Sequence, residues 1–361
     1  MRSVIYFNTD ITRISTIQQD FLIRFSVYSK FVQEVSKDDS KVMTLLLGGV
    51  SGEATMPNLR ILSLPHNLIK QFVSLACILR KTKGCKTLVL GDNDISLVLG
   101  WLASRFSRDT KLQISLHSSL DQIMHPKFVV DYFRKLLFLF SLHLVHSIRM
   151  VSLGDIISFN NLFPNHVPEI VYAPVPLQIP ERKIDHSIRK RLAFVGRLHE
   201  ERGIFQLVEI IKLLDFENNQ DIELIIVGDG PKEKWLHDEL AEITNLKVKF
   251  MGKLAHREVQ ELLPSVQVLL SCAPLESYGM ALREALLNGC MVVARENKTT
   301  TELRLTFPQH FKTYKGIRDA VDKILFFFSS PRQVTDVENY QSLVSEQQQI
   351  NLLRLAKSWL E

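Results

Sequence analysis

The sequence predicts an α/β protein of two Rossmann-like domains, each an open parallel sheet covered by helices, facing one another across a cleft. Three observations predict it. Short β-branched runs alternate with longer amphipathic stretches from end to end, and strand–helix–strand alternation is the mark of a parallel sheet with helices on its faces. The alternation breaks once, around Pro174, Pro176 and Pro180, and then restarts. The chain has 361 residues, too many for one ordinary domain and about right for two.

In the first half, strands are expected at 4–8, 42–48, 60–64, 87–91, 112–117, 150–153 and 170–173. Between them, 67–83 and 128–147 carry apolar residues at three- and four-residue spacing, the period of a helix with one buried face. The prolines and a charged run ending at Arg191 make 176–191 an extended linker, because proline supplies no ladder or helix donor. The second half then alternates regularly. Strands are expected at 192–196, 223–228, 247–251, 266–271 and 291–294, with helices at 204–214, 232–243, 256–263 and 279–287. A last helix is expected over 345–360. The domains therefore run 1–175 and 192–335, and the segment 336–361 is expected to return to the first domain.

Composition narrows the function. A hydrophobic fraction of 46% and a charged fraction of 23% exclude a disordered, collagen-like or coiled-coil chain. A net charge of +5 is small for a dedicated nucleic-acid binder, so no nucleic acid is expected as partner. The charge is uneven. Residues 1–175 hold 19 Lys+Arg against 13 Asp+Glu, hence +6, and residues 176–361 hold 25 against 26, hence −1. A basic half suits a surface that meets anionic lipid or a phosphorylated substrate, although ordinary solubility charge looks the same. Cys77, Cys85, Cys272 and Cys290 show no Cys-x-x-Cys spacing, which argues against a disulfide framework or zinc site and fits a reducing compartment. The N-terminal run has no apolar signal core, and the most apolar stretch, 133–144, contains Arg134, Lys135 and His143. The expected location is cytoplasmic, either soluble or peripheral at the inner face of the membrane.

Open α/β sheets bind ligands beyond the carboxyl ends of their strands, so the loops there carry the chemistry. In Gly196-Arg197-Leu198-His199-Glu200-Glu201-Arg202-Gly203 a strand ends on a glycine that lets a ligand approach the backbone. Arg197 and Arg202 follow, able to clamp phosphate oxygens, though a solvated loop carries arginines too. Val227-Gly228-Asp229-Gly230-Pro231 starts like a dinucleotide loop but lacks the third glycine, and Pro231 suits a first helical position. No nicotinamide site is expected there.

The third segment, from Ser271 to Gly289, is the most informative. Glu276 precedes a helix that starts near Gly279, and the amides of Tyr278, Gly279, Met280 and Ala281 favour an anion. Glu284 lies about 7 Å further along the axis at roughly 1.5 Å per residue. Its neighbours Leu282, Ala285, Leu286 and Leu287 make that helix apolar nearly all round, so Glu284 is expected to be buried and to need a partner. Two carboxylates flanking an anion pocket fit a ligand with phosphates in its middle and hydroxyl-rich groups at both ends, which is the shape of a nucleotide-sugar. Plainer alternatives are a helix-dipole partner for Glu276 and a solvated face for Glu284.

Taken together, Gly196-Arg197-Leu198, Glu201-Arg202-Gly203, Val227-Gly228-Asp229-Gly230-Pro231 and the pair Glu276 and Glu284 resemble the retaining glycosyltransferases of family 4, group 1 glycosyl transferases with the B-type (GT-B) fold. The resemblance is ordered over 192–295 and only topological over most of 1–175. It implies that Arg197 contacts the donor diphosphate, and that Arg202 stands where lysine is usual. It places Glu276 beside the donor sugar and Glu284 on the ribose hydroxyls, with Gly196 and the amides of Tyr278 to Ala281 around the phosphates. His117, at a strand end, matches a histidine near the reacting sugar, with a turn histidine as the plainer reading. Two departures stand out: residues 8–14 lack the family's glycines, and 296–302 lacks its paired glycines.

The function so implied is transfer of a hexosyl group, with retention, from a nucleotide-diphosphate sugar to the hydroxyl of a glycan or lipid-linked acceptor in surface-glycan, polysaccharide or lipopolysaccharide biosynthesis. Arg197, Arg202, Glu276 and His117 form the expected catalytic set. No metal cofactor is expected, and Asp92-Asn93-Asp94 reads as a solvated turn. The basic first domain is expected to hold the acceptor. Its stretch with Phe133, Arg134, Lys135, Phe138 and Phe140 either packs within the domain or touches lipid. The alternatives are an epimerase or phosphorylase of the same fold, or a non-catalytic nucleotide-sugar or glycan-binding protein.

Overall fold

The computed structural model describes residues 3–8, 19–37, 43–48, 55–56, 59–91, 94–107, 109–117, 119–126, 129–165, 168–180, 190–217, 221–330 and 335–360. The chain forms two compact units, one of Met1–Pro176 with Gln347–Glu361 and one of Leu177–Glu346.

Unit 1 runs β1 (Ser3–Asn8), α1 (Gln19–Ser36), β2 (Met43–Gly48), β3 (Thr55–Met56), β4 (Leu59–Leu64), α2 (Leu68–Lys81), β5 (Lys86–Gly91), α3 (Asp94–Ser104), β6 (Thr110–Leu116), α4 (Leu120–Met124), α5 (Val129–Leu142), β7 (Ser147–Met150), α6 (Leu153–Leu162) and β8 (Glu169–Tyr172). Its sheet has the order β3-β4-β2-β1-β5-β6-β7-β8, parallel except for the short β3 against β4. Alternate residues of β1 serve opposite faces, as a period of two requires. Val4 and Tyr6 join a core with Phe25 and Tyr28 of α1, whereas Ile5 and Phe7 pack with Leu75 and Leu79 of α2. Both faces are covered, so the strands read as continuous apolar runs.

Boundaries differ from the sequence reading in places: the last helix, expected from 345, begins at Thr335, and the largest shift in unit 1 lies around β7. The helix expected to run through residue 147 stops at Leu142, and the strand expected at 150–153 lies at Ser147–Met150. Ser147 and Arg149 are buried polar residues, so the apolar pattern is displaced toward the next segment. Ser152 instead caps α6, accepting from the Asp155 amide at 3.4 Å.

Unit 2 runs β9 (Arg191–Val195), α7 (Ile204–Glu217), β10 (Ile222–Val227), α8 (Glu233–Leu240), β11 (Leu246–Gly252), α9 (His256–Leu262), β12 (Val268–Ser271), α10 (Met280–Leu287), β13 (Met291–Arg295), α11 (Lys298–Thr306), β14 (Phe311–Tyr314) and α12 (Ile317–Ser329). Its six strands, ordered β11-β10-β9-β12-β13-β14, are all parallel. The core joins α7 and α12 to one sheet face through Leu207, Ile211, Val321 and Ile324.

The last helix, α13 (Thr335–Leu360), begins in unit 2 and ends in unit 1. There Leu352, Leu355, Ala356 and Trp359 complete the core around Tyr6 and Tyr28. The Trp359 indole donates to Gln113 Oε1 at 2.5 Å, the Thr87 hydroxyl donates to the Trp359 carbonyl at 2.6 Å, and the Tyr28 ring meets the indole edge-on. Trp359→Ala is expected to remove about 3–5 kcal/mol of stability, read as a lowered urea midpoint for unit 1.

Candidate active site

The strand order of unit 2 reverses between β9 and β12, with β10 and β11 on one side and β13 and β14 on the other. Loops leaving two such neighbours diverge and open a crevice at the carboxyl edge. The loop after β9 carries Arg197 and Arg202, and the loop after β12 carries Glu276.

Bare backbone brings these loops together. Gly203 has φ 71°, and a Cβ there would lie 2.0 Å from the Cys272 carbonyl oxygen at the end of β12. Gly228 and Gly230 likewise have positive φ, and a Cβ on each would strike the carbonyls of Gly196 and Leu198 at 1.9 and 2.4 Å. The Leu198 amide donates to the Asp229 carbonyl at 2.8 Å, and the Lys232 amide donates to the Leu198 carbonyl at 3.0 Å. Gly-Asp-Gly-Pro therefore buttresses the arginine loop. Pro231 is not the first helical residue: α8 begins at Glu233 after Lys232, whose amide is still tied to Leu198.

Arg202 Nη1 donates to Glu276 Oε1 at 2.7 Å. Burial pushes the Glu276 carboxyl up, and the Arg202 charge and hydrogen bond pull it back down. The Thr299 hydroxyl, 2.7 Å from the Glu276 carbonyl and 3.1 Å from that of Ser277, fixes the loop from α11. Asn297 and Thr300 cap that helix, so the segment without paired glycines supports Glu276 instead. Arg197 is not drawn into the pair. It meets Glu201 Oε2 at 3.1 Å, with both side chains more than half exposed.

Gly279, at φ 71° and ψ 50°, turns the chain into α10, whose first amides lack partners within the helix. Tyr278 is buried beneath the Arg283 guanidinium, 4.2 Å from its ring centroid. Arg283 also donates to the Tyr278 carbonyl at 3.0 Å and to Glu302 Oε1 at 3.2 Å, locking the turn. Met280 and Ala281 are half-buried in the first turn. Glu284 is buried, its side chain 6% exposed, and its partner is His256 of α9, with Nε2 2.9 Å from Oε1. Asn288 steadies the group, donating to the Glu284 carbonyl at 2.8 Å and to Gln260 Oε1 at 2.9 Å. Sequence reasoning passed over His256, whose only signal is the need of Glu284 for a partner. Cys272 is buried, and desolvation pushes its thiol up to about 12, which makes it unreactive.

In unit 1, His117 follows β6 directly, its Nε2 3.1 Å from Ser115 Oγ. Residues 9–14 of the glycine-free loop, and Asp92 and Asn93, lie outside the described residues. Among the described residues no group of three or more His, Cys, Asp or Glu side chains is arranged to hold a metal ion.

Residues 180–340 match the family model described as glycosyl transferases group 1. Over 153 residues, 42% of this chain and 37% of the relative, the protein is 26% identical to the 2-deoxystreptamine N-acetyl-D-glucosaminyltransferase of Niallia circulans. The matched stretches span 22 to 37% of the curated relatives' own lengths. Over the whole chain the fold is that of GT-B proteins. Sucrose-phosphate synthase of Thermosynechococcus elongatus superposes with a TM-score of 0.76 at 13% identity, covering 99% of this chain and 98% of that one. Anabaena HepE with UDP-glucose does so with a TM-score of 0.69 at 14% identity, covering 99% of each.

Two outcomes follow from this geometry. Gly203→Ala is expected to cost at least about 1–3 kcal/mol, from the positive φ and the carbonyl clash, read by urea denaturation. For Glu276 the folded carboxyl titrates above its unfolded value, so ionisation is a cost carried above that range and relieved as pH falls through it. Glu276→Gln should therefore match or exceed the parent in melting temperature at pH 7. The difference should close as pH falls toward about 4, the unfolded carboxylate range.

Proposed function

We propose that the protein is a retaining glycosyltransferase that moves a hexosyl group from a nucleotide-diphosphate sugar to an acceptor hydroxyl. The observation that carries this reading is the Arg202–Glu276 pair at the β9/β12 reversal, beside the start of α10 and eight residues before buried Glu284. The match of residues 180–340 to group 1 glycosyl transferases supports it. Unit 2 binds the donor: Glu284 accepts from the ribose hydroxyls, and Gly196 with the amides of Tyr278, Gly279, Met280 and Ala281 surrounds the phosphates. Glu276 accepts from hydroxyls of the sugar, next to the anomeric carbon.

The bond from the anomeric carbon to the diphosphate oxygen breaks as the acceptor oxygen attaches on the same face, and the acceptor's proton leaves with the diphosphate. Arg202, Arg197 and the α10 amides stabilise the charge on the leaving group. These groups do the work that a metal would otherwise do, so the reaction is metal-independent in this reading. His117 of unit 1 serves the reacting sugar, and the basic unit 1 takes the acceptor.

A lipid-linked acceptor at an anionic membrane suits α5 best. Phe138 and Leu142 pack inward, while Val129, Tyr132, Phe133, Leu136 and Phe140 form an exposed stripe with Arg134 beside it. Among the described residues no helix is long and apolar enough to cross a membrane, so the contact is peripheral. Flotation with phosphatidylglycerol vesicles is expected to carry the protein, and Phe133→Asp with Leu136→Asp to abolish this. Flotation unchanged by the substitutions would remove α5 from the reading.

Activity is read as release of nucleoside diphosphate from uridine- and guanosine-diphosphate sugars. Glu276→Ala and Arg202→Ala are each expected to lower kcat by about 10²–10³-fold. Glu284→Ala should instead raise the donor KM. Turnover of every accepted donor unchanged in Glu276→Ala would reject the site. Product anomeric configuration by NMR tests retention, and full activity in EDTA tests metal independence.

A further inference from the structure

Thr299 carries a hydroxyl to which the sugar-transfer reading gives no role. It is 2% exposed, in the first turn of α11, within the segment 296–302 that lacks paired glycines. Its Oγ1 lies 2.7 Å from the Glu276 carbonyl and 3.1 Å from the Ser277 carbonyl. One proton is thus shared between two consecutive carbonyls, and the nearer is that of Glu276 itself. Little else holds this stretch. Among the described residues, no main-chain hydrogen bond ties Pro274, Leu275, Glu276 or Ser277 to the rest of unit 2. The loop between β12 and α10 therefore depends on side-chain donors.

Those donors divide the loop among them. Asn297 Nδ2 reaches the Ala273 carbonyl at 3.4 Å, and Arg283 Nε reaches the Tyr278 carbonyl at 3.0 Å. Among the described residues, Thr299 alone donates to the main chain of Glu276. The Thr299 side chain is itself held in place. A Cβ on Gly279 would lie 3.6 Å from Thr299 Cγ2, so the methyl faces the left-handed turn that opens α10. A β-branched side chain packed by its methyl keeps one rotamer, and its hydroxyl stays on Glu276.

We propose that Thr299 is a positioning residue for sugar transfer: its hydroxyl fixes the main chain of Glu276, and thereby the carboxylate that meets Arg202 and the donor sugar. The proposal rests on the reading of Glu276 as the group beside the anomeric carbon. It places control of that carboxylate on α11, 23 residues away in the chain. The bond acts on placement and not on charge, because it goes to a main-chain carbonyl and leaves the carboxylate oxygens to Arg202 and the sugar.

A first experiment needs no donor. Crystal structures of the full-length parent and of Thr299→Val, which keeps the shape and loses the hydroxyl, are compared at the Arg202–Glu276 pair. The parent is expected to hold Nη1 2.7 Å from Oε1, and the variant to lose that contact. A pair absent from the parent, or unchanged in the variant, would overturn the proposal. A second experiment measures kcat and KM with whichever uridine- or guanosine-diphosphate sugar the parent turns over. Thr299→Val should lower kcat about tenfold or more with donor KM nearly unchanged, as a small misplacement of a site group does. Thr299→Ser, which restores the hydroxyl, should recover most of that loss. In a Glu276→Ala background Thr299→Val should cost nothing further, since a residue acting only through Glu276 has nothing left to position. The same loss in both backgrounds would mark a general structural role and overturn the proposal. If Thr299→Val does not fold, Thr299→Ala is read in its place and Thr299→Ser still tests the rescue. Undiminished turnover in Glu276→Ala would instead overturn the donor-sugar reading of Glu276 and leave the crystallographic result standing.

Discussion

Contact between two backbones, Gly203 against the carbonyl of Cys272, is the constraint on which the site of unit 2 depends. It lets the turn after β9 rest directly on the end of β12. Arg202 is the residue before that contact and Glu276 is four residues beyond it, so the approach of the main chains sets the approach of the charges. Gly228 and Gly230 repeat the device one layer out, where any side chain would push the arginine loop off its neighbour. Three glycines thus act by what they lack.

Buried charge is handled in two ways around Glu276, Glu284 and Arg149. Unit 2 pairs its site carboxylates with cationic or imidazole partners, Glu276 with Arg202 and Glu284 with His256. Unit 1 buries Arg149 among carbonyls, hydroxyls and an aromatic face. Pairing lowers the cost of a charge and also blunts its reach, whereas an uncompensated cation projects its field onto whatever hydrogen-bonds to its ligands. The +6 balance of residues 1–175 therefore includes at least one charge that surface solubility does not explain.

Most of the second half was legible because buried parallel strands are unbroken apolar runs bounded by glycine turns. The strand expected at 192–196 is β9 at Arg191–Val195, and that expected at 223–228 is β10 at Ile222–Val227. The burial of Glu284 followed from its apolar helix. Around β7 the same logic failed, since Arg149 is a charged residue that the fold hides, and pattern reading takes charge for exposure. Arg202 and Glu276 were each marked by their loops, but a contact across 74 residues has no local signature. His256 had no pattern of its own beyond the need of Glu284 for a partner, because its role comes from the fold setting its ring beside Glu284.

The path of α13 has a consequence for how the molecule is made. Residues 177–346 build unit 2 without interruption, whereas unit 1 is closed by residues 347–361. A ribosome adding about 5–20 residues per second needs roughly 10–30 s to traverse the intervening unit. Throughout that interval the nascent first sheet presents Tyr6 and Tyr28 with no Trp359 to cover them. The unit translated first is thus the last to be completed, with its flank over Tyr6 and Tyr28 open in the meantime.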